Sequence, residues 1–559
     1  MTELISLRDS VSANVQAGDD IAVVCSHTRW CAAATEVVRS WWGRDPGFTL
    51  TMLSLSSLGT LFVRGGLVRK IVTGYSGDVF PNFTPNAIFG DAYLSGRVEV
   101  EHWSFLAFQQ RLEAAARGLP AMTTASIAGS DMEHNDGFAV VESPFGPVGL
   151  VAAHAPDIAL VHGAVADRDG NVAFHPPLLD GVWGALAATR GAIVTVERIV
   201  DDIRPWAHLV RLSGDRVLSV TECPMGAHPG GLYGHFTPAE PYGEDLAFWS
   251  EVRDASRRND FDDWIREWVL DVADHDEYLH RLGAKRIGEL RRRAEPDSWH
   301  DDQAAHAVDT DTPPNAWERA AVHGARLLAD RIIELDADAA LAGAGVANLA
   351  TWLAVELARE RGSNCVLTAE LGLWGYEPTP ADPFVFNHRA FPSATMLADS
   401  SEILGVVMAG PQTTSVACLG AAIIDERGNI DSTIVPAKTF LVGSGGGNDV
   451  ASTADDVVVM TTLTARRTVA QVPYVTSPGR NVSHLATDLG VFAKDADGRL
   501  ELIAVADGTG SVDERVAAIA ELCGWDLRVA EEIAELAPVE LADVLPLRRW
   551  DPEGLFLRG

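Results

Sequence analysis

Along the chain, short apolar runs alternate with stretches whose apolar positions recur every three or four residues. DDIAVVCSH (19–27) predicts a buried strand, RWCAAATEVVRSWWG (29–43) an amphipathic helix, and FTLTMLSLS (48–56) the next strand. The same rhythm returns later: AALAGAG (339–345) leads into the helical VANLATWLAVELARERG (346–362), and NCVLTAE (364–370) is again a strand. Apolar strands alternating with amphipathic helices predict open α/β sheets with buried parallel strands.

The pattern breaks once. From Glu289 to Asn315 the text is charged and proline-bearing, with little apolar periodicity. This predicts one domain over 1–290, a linker over 291–315 and a second domain over 316–559. The halves share a signal. Asp167-Arg168-Asp169-Gly170-Asn171 and Asp425-Glu426-Arg427-Gly428-Asn429 each follow an apolar run, at an offset of 258 residues. Both read as strand, tight turn and new strand, with glycine at the position that needs a positive φ. Two such turns at corresponding places predict a duplicated fold: two related open α/β domains packed against each other.

Composition narrows the function classes. The chain of 559 residues would accommodate three or four domains at about 150 residues each. Its 44 Lys and Arg against 78 Asp and Glu give a net charge of −34. Such a field repels phosphate backbones and anionic lipid, so neither nucleic acid nor a membrane surface is an expected partner. The fifteen tryptophans then read as packing residues, not a base-stacking platform. Six scattered cysteines form no C-x-x-C pair and no disulfide framework. The opening MTELISLRDS lacks a signal pattern, and the longest nearly apolar run, Ala339 to Val355, carries two glycines, Asn348 and Thr351. It falls short of the roughly 20 residues of a membrane span. A cytoplasmic protein is expected.

Three places have candidate chemistry. Glu370 ends an apolar strand and precedes Gly372 and Gly375. A carboxylate there is placed to act as nucleophile or general base, and could equally be a surface side chain at a strand end. Gly443-Ser444-Gly445-Gly446-Gly447-Asn448-Asp449 follows a strand and exposes successive N–H groups, either a nest for a developing oxyanion or simply a tight connection. It carries no Gly-Lys-Ser/Thr and is no nucleotide-triphosphate loop. Gly343-Ala344-Gly345-Val346-Ala347-Asn348 opens a helix, where glycine serves an anion or close packing. His275, His280, His300 and His306 lack metal-helix spacing and read as surface residues, so no metal site is expected. No Gly-x-Ser-x-Gly elbow is present.

Taken together these motifs resemble family I CoA-transferases. The second half is similar to the catalytic, β-type domain, the first to the α-type domain of the glutaconate CoA-transferase group. In that family the nucleophilic carboxylate stands in a Glu-Asn-Gly or Glu-x-Gly motif after a strand, the place of Glu370-Leu371-Gly372. A G-G-x-x-D loop follows downstream, matched by Gly445 to Asp449. In the first half, residues 96–120 and 156–174 resemble α-type segments. Val194 to Trp249 is also similar to the α-type chain of the steroid ring-cleaving CoA hydrolases. Three departures stand out: Leu371 replaces the usual Asn, Cys25-Ser26-His27-Thr28-Arg29 replaces a glycine-rich turn, and Phe105 occupies the region where those hydrolases carry their working glutamate, with Glu99 and Glu101 nearby.

The resemblance implies a fused α/β pair transferring coenzyme A between an acyl-CoA and a small carboxylic acid. The implied route is ping-pong, through a glutamyl-CoA thioester on Glu370. Gly445, Gly446, Gly447, Asn448, Gly372 and Gly345 are the implied oxyanion and CoA-binding positions. No metal or tightly bound cofactor is implied, and CoA enters as substrate. The runner-up is an acyl-CoA or β-dicarbonyl-CoA hydrolase on the same fold. A homo-oligomer, a dimer of such pairs, is expected by the same resemblance.

Overall fold

Parallel strands buried on both faces are built mainly from apolar residues, and the central strands here are apolar almost throughout. In the computed structural model, which describes residues 3–24, 29–258 and 260–558, Ile158–Asp167 is buried at every position. So is Asp456–Met460.

The first sheet has ten strands. Its main path runs Glu3–Leu4, Val217–Glu222, Ala192–Val200, Ile158–Asp167, Asp20–Val23, Phe48–Met52, Val68–Thr73 and Glu99–His102. All neighbours on that path are parallel. The second sheet also has ten strands, centred on Val366–Ala369, Ala339–Ala342, Ser415–Gly420, Asp456–Met460 and Val482–Ala486 in that order. These five are parallel, and antiparallel strands extend both edges. From Ala339–Ala342 the chain moves outward to Val366–Ala369, then crosses to Ser415–Gly420 on the other side. That reversal opens a crevice at the carboxyl ends of the strands, where ligands of open α/β sheets bind.

The duplicated turn has the same bonding in both halves. Asp167 and Asp425 donate their N–H to Asn171 and Asn429 at 3.1 Å, and Gly170 and Gly428 donate back at 3.1 and 3.0 Å. The two glycines take φ of +86° and +80°. Each asparagine then accepts, at Oδ1, the N–H of a glycine far along the chain: Gly214 at 3.2 Å and Gly479 at 2.8 Å.

The polar segment between the halves is partly helical. Ala284–Arg293 and Trp299–Ala305 are helices, and Asp302 forms ion pairs with Arg293 at 3.2 Å and with buried Arg389 at 2.6 Å. Asn315 then caps the long helix Ala316–Leu335 in a capping box with Glu318. A single connected apolar core takes in residues of both sheets.

Candidate active site

Glu370 is held by a hairpin. Val366–Ala369 pairs antiparallel with Leu373–Trp374, Thr368 opposite Trp374 and Ala369 opposite Leu373, which leaves Glu370 to Gly372 as the connection. Gly372 takes φ of +120°, and any side chain there would collide with the carbonyl of Ala398. Ala398 N–H donates to the Gly372 carbonyl at 2.8 Å. Leu371 turns into the core at 2% exposure. The Glu370 side chain goes the other way and rests against the Cα of Gly446, leaving no room for a Cβ.

The glycine loop lies between the strand Thr439–Phe440 and the helix Gly447–Thr453. It is threaded against the first half of the chain. Ser76 N–H donates to the Val442 carbonyl at 2.7 Å, Gly445 N–H to the Gly74 carbonyl at 2.9 Å, and Phe105 N–H to the Gly445 carbonyl at 3.1 Å. Ser444 N–H donates to Nε2 of His102 at 3.0 Å. Burial pushes that imidazole down to about 4, so it is neutral at pH 7 and can accept. A side chain at Gly443 would strike the same ring.

These bonds divide the glycines by role. The N–H of Gly445 is used across the seam, and that of Gly447 donates to the Ser444 carbonyl at 3.0 Å. The N–H of Gly446 faces the Glu370 carboxylate. Both ends of the Asn448 amide are engaged, Oδ1 by the N–H of Ile127 at 2.9 Å and Nδ2 by the carbonyl of Thr476 at 2.9 Å. Asn448 therefore braces the loop against the first half. Gly345 opens the helix Val346–Glu360 with φ of +71° and open space at its Cβ position. Gly343 packs tightly on the Cys418 carbonyl, and Asn348 donates to the Pro383 carbonyl at 3.1 Å.

Asp449, the last residue of the loop motif, is fully buried and reaches the N-terminus of the helix Phe105–Ala116. Its Oδ2 accepts the N–H of Leu106 at 3.1 Å. Asp449 also lies near enough to the half-buried Glu370 carboxyl to act on its charge. Burial raises Glu370 to about 7, with Asp449 adding to the rise and the Gly446 N–H opposing it. Burial likewise raises Asp449 to about 6, against the Ser104 hydroxyl and the Leu106 N–H. A carboxyl poised near neutrality beside a backbone donor is the electrostatic pattern of a reacting group.

The docking of Asp449 on the helix Phe105–Ala116 was not legible from spacing, because Leu106 and Asp449 are 343 residues apart in sequence. The available signal was Ser104, an N-cap residue before an apolar run; its Oγ accepts the N–H of Ala107 at 3.2 Å. Phe105 lies against the loop, and its ring fills the space beside Gly74. Glu101, the nearby carboxylate, is held down to about 2 against its burial by Arg111 and Lys70, and its oxygens are taken by Trp103, Arg111 and Lys70. Of the segment 25–29, residues 25–28 lie outside the described residues; Arg29 is buried and donates to the His175 carbonyl at 3.0 Å. His275, expected at the surface, is partly buried and bonds at Nε2 with the Pro224 carbonyl at 2.7 Å, because neighbouring Tyr278 packs over it. Among the described residues no group of three or more His, Cys, Asp or Glu is placed to hold a metal ion. No helix among them is long and apolar enough to cross a membrane.

Comparison with known proteins gives the site its context. The family model described as Coenzyme A transferase matches residues 46–214 and again 329–502. The A-type chain of the glutaconate CoA-transferase of Acidaminococcus fermentans is 28% identical over 52% of this chain and 95% of its own length. The A-type chain of the 3-oxoadipate CoA-transferase of Pseudomonas knackmussii is 30% identical over 50% and 99%. The B-type chain of that same enzyme is 29% identical over 37% of this chain and 85% of its own length. An acyl-CoA transferase of E. coli O157:H7, solved as a thioester complex with CoA, superposes with a TM-score of 0.66 at 16% identity, over 97% of this chain and 96% of that one. The fold is therefore shared along the whole length, and relatives that are separate polypeptides match here within one. The chain belongs to the coenzyme A transferase family, as an enzyme with its A-type and B-type halves fused.

Proposed function

We propose that the protein transfers CoA from an acyl-CoA to a small carboxylic acid by a ping-pong route through Glu370. One Glu370 oxygen attacks the thioester carbonyl, and the tetrahedral oxyanion collapses by expelling CoA thiolate, leaving an acyl-glutamyl anhydride. The thiolate attacks the glutamyl carbonyl and releases the first carboxylate, forming glutamyl-CoA. The acceptor carboxylate then attacks that thioester, again giving an anhydride and thiolate. Attack of thiolate on the acyl carbon releases the new acyl-CoA and restores the Glu370 carboxylate. No redox equivalent is consumed and no step calls for a metal.

The observation that carries this reading is the placement of the Glu370 carboxylate against the N–H of Gly446, with Asp449 behind it. Glu370 ionises near neutral pH, so the nucleophile exists at working pH while remaining desolvated. Gly446 is the proposed donor to oxyanions formed at the glutamyl carbon; one such donor is worth about 10²–10³ in rate. Gly445, Gly447 and Asn448 hold the loop that presents it. Retaining CoA on the enzyme while the free acids exchange keeps the second step effectively intramolecular. A dimer of fused pairs and a cytoplasmic location complete the proposal.

The test is intact-mass and peptide mass spectrometry after incubation with a panel of acyl-CoAs, with borohydride trapping. The expected result is a CoA adduct, or the reduced alcohol, at position 370 in wild type and not in Glu370→Gln, whose turnover falls by at least about 10³-fold. Steady CoA release with no adduct and no need for an acceptor acid points instead to hydrolysis.

A further inference from the structure

A cavity of about 430 Å³ opens in the first half, apart from Glu370 and its loop, with every wall residue lying between Ser6 and Tyr278. That volume suits a small organic ligand. Phe248, Trp264, Trp268 and Tyr278 stand in its walls. Trp264 and Trp268 are four positions apart, on the helix Phe261–Ile265 and the π-helical turn Arg266–Leu270 that continues it, so both rings fall on one face. Tyr278 stands on the next helix, His275–Leu282. The rings meet at steep angles. Phe248 lies 5.6 Å from Trp264 at 63° and 5.0 Å from Trp268 at 85°, and Trp268 lies 6.1 Å from Tyr278 at 76°. Phe248 is buried, whereas Trp264, Trp268 and Tyr278 each keep part of their surface open. Ring planes set across one another around a hollow make an aromatic cage, whose electron-rich faces attract a cation.

The charges in the wall favour the same ligand. Four carboxylates stand there, Glu36, Glu222, Asp274 and Asp276, against Arg8 and Arg39. Both arginines are taken. Arg39 pairs with Glu36 and donates to the Val269 carbonyl at 2.7 Å. Arg8 donates to the Ala273 carbonyl at 2.7 Å and lies 3.5 Å from Glu36. The other three carboxylates are exposed. Glu222 and Asp274 accept the backbone N–H groups of Ile199 and Glu277, and among the described residues no basic side chain pairs with either of them or with Asp276. Their field reaches inward: burial pushes up the thiol of Cys223, a buried wall residue, and Asp276 and Glu222 are among the charges that add to the rise. The wall histidines His228 and His275 are pushed down by burial, so at pH 7 they are neutral and do not oppose a cation.

We propose that this cavity binds an organic cation, with a quaternary or alkylated ammonium group held among Trp264, Trp268 and Tyr278 and the carboxylates of Glu222, Asp274 and Asp276 supplying the opposite charge. The aromatic faces accept the apolar shell of such a group, and the carboxylates make its charge count. The site does not depend on the transferase reading of Glu370.

Calorimetric titration of the full chain at low ionic strength tests this with four probes: choline, benzyltrimethylammonium, benzoate, and 3,3-dimethylbutan-1-ol, which is choline with carbon in place of nitrogen. Saturable binding of both cations is expected, with the alcohol weaker than choline by at least tenfold and benzoate weaker than benzyltrimethylammonium. Glu222→Gln and Asp276→Asn, both at exposed positions, weaken choline severalfold and leave the alcohol unchanged. Trp268→Leu weakens benzyltrimethylammonium at least tenfold in protein whose melting shows it folded. Should Trp268→Leu not fold, the two carboxylate variants decide. Absence of saturable binding by either cation overturns the site. So does equal affinity for choline and the alcohol, the mark of a plain apolar hollow, and so do carboxylate variants that bind choline as wild type does. Glu370→Gln retains cation binding, so loss of the Glu370 adduct and loss of this site are read independently.

Discussion

A carboxylate that attacks a thioester, the role proposed for Glu370, has to be ionised yet poorly solvated, and the surroundings of this side chain bear on both demands. Burial and Asp449 both favour its proton, and only the Gly446 N–H favours its charge, with the balance near 7. The transfer rate is therefore expected to rise with pH through the region near 7, as Glu370 deprotonates. Asp449→Asn removes the neighbouring negative charge, so the acid limb of kcat/KM moves to lower pH while kcat itself falls; pH–rate profiles of the two proteins check both. The same shift has a cost in stability. A carboxyl raised by folding carries no penalty below its unfolded value near 4.5 and the full penalty above the folded value near 7. Glu370→Gln should thus stabilise the fold by about 1–3 kcal/mol at pH 8 and leave it unchanged near pH 4, read by denaturant melts at both pH values.

The elements that present Glu370 are two turns built on glycine, and they make contrasting demands. At Gly446 a methyl group would overlap the Glu370 carboxylate, whereas at Gly447 it would meet only the Ser477 hydroxyl at 3.5 Å. Gly446→Ala is expected to lower kcat by about 10²-fold or more, since it displaces the nucleophile from its donor. Gly447→Ala is expected to fold normally and to change kcat severalfold at most. Kinetics of the pair, with melting curves as controls, separates a catalytic glycine from a merely flexible loop. At Gly372 both the positive φ and the Ala398 carbonyl forbid a side chain, so Gly372→Ala should destabilise by roughly 1–3 kcal/mol. The Asp-x-x-Gly-Asn turns are different: their bonding is matched in both halves, and the second of them fixes Gly479 and, through Ile430, the Thr476–Ser477 segment that braces the glycine loop.

At the scale of the whole molecule, the proposed active site exists only as a seam. Glu370 and the glycine loop come from one half, and His102, Ser104 and the helix Phe105–Ala116 from the other. Leu106 donating to Asp449 and Ile127 donating to Asn448 show that the loop takes its shape from its partner half. Chains cut between Thr310 and Asp311 and produced together should associate and retain activity, while neither piece alone forms the CoA adduct. Co-purification and the adduct assay check this, and an active isolated second half would refute it. Sedimentation of the intact protein is expected at twice 59.8 kDa.

Periodicity and turn chemistry act over a few residues, and what depends on them was readable from the text: the α/β rhythm, the two halves, the paired Asp-x-x-Gly-Asn turns and Glu370 at a strand end. The order of glycines in the loop was readable too, but not their division of labour, because Gly445, Gly446 and Gly447 differ only in what lies opposite each N–H. Tertiary structure alone brought Asp449 to Glu370 and the N-terminus of the helix Phe105–Ala116 to Asp449. Burial and charge at that junction depend on contacts between residues hundreds of positions apart, and no local pattern encodes them.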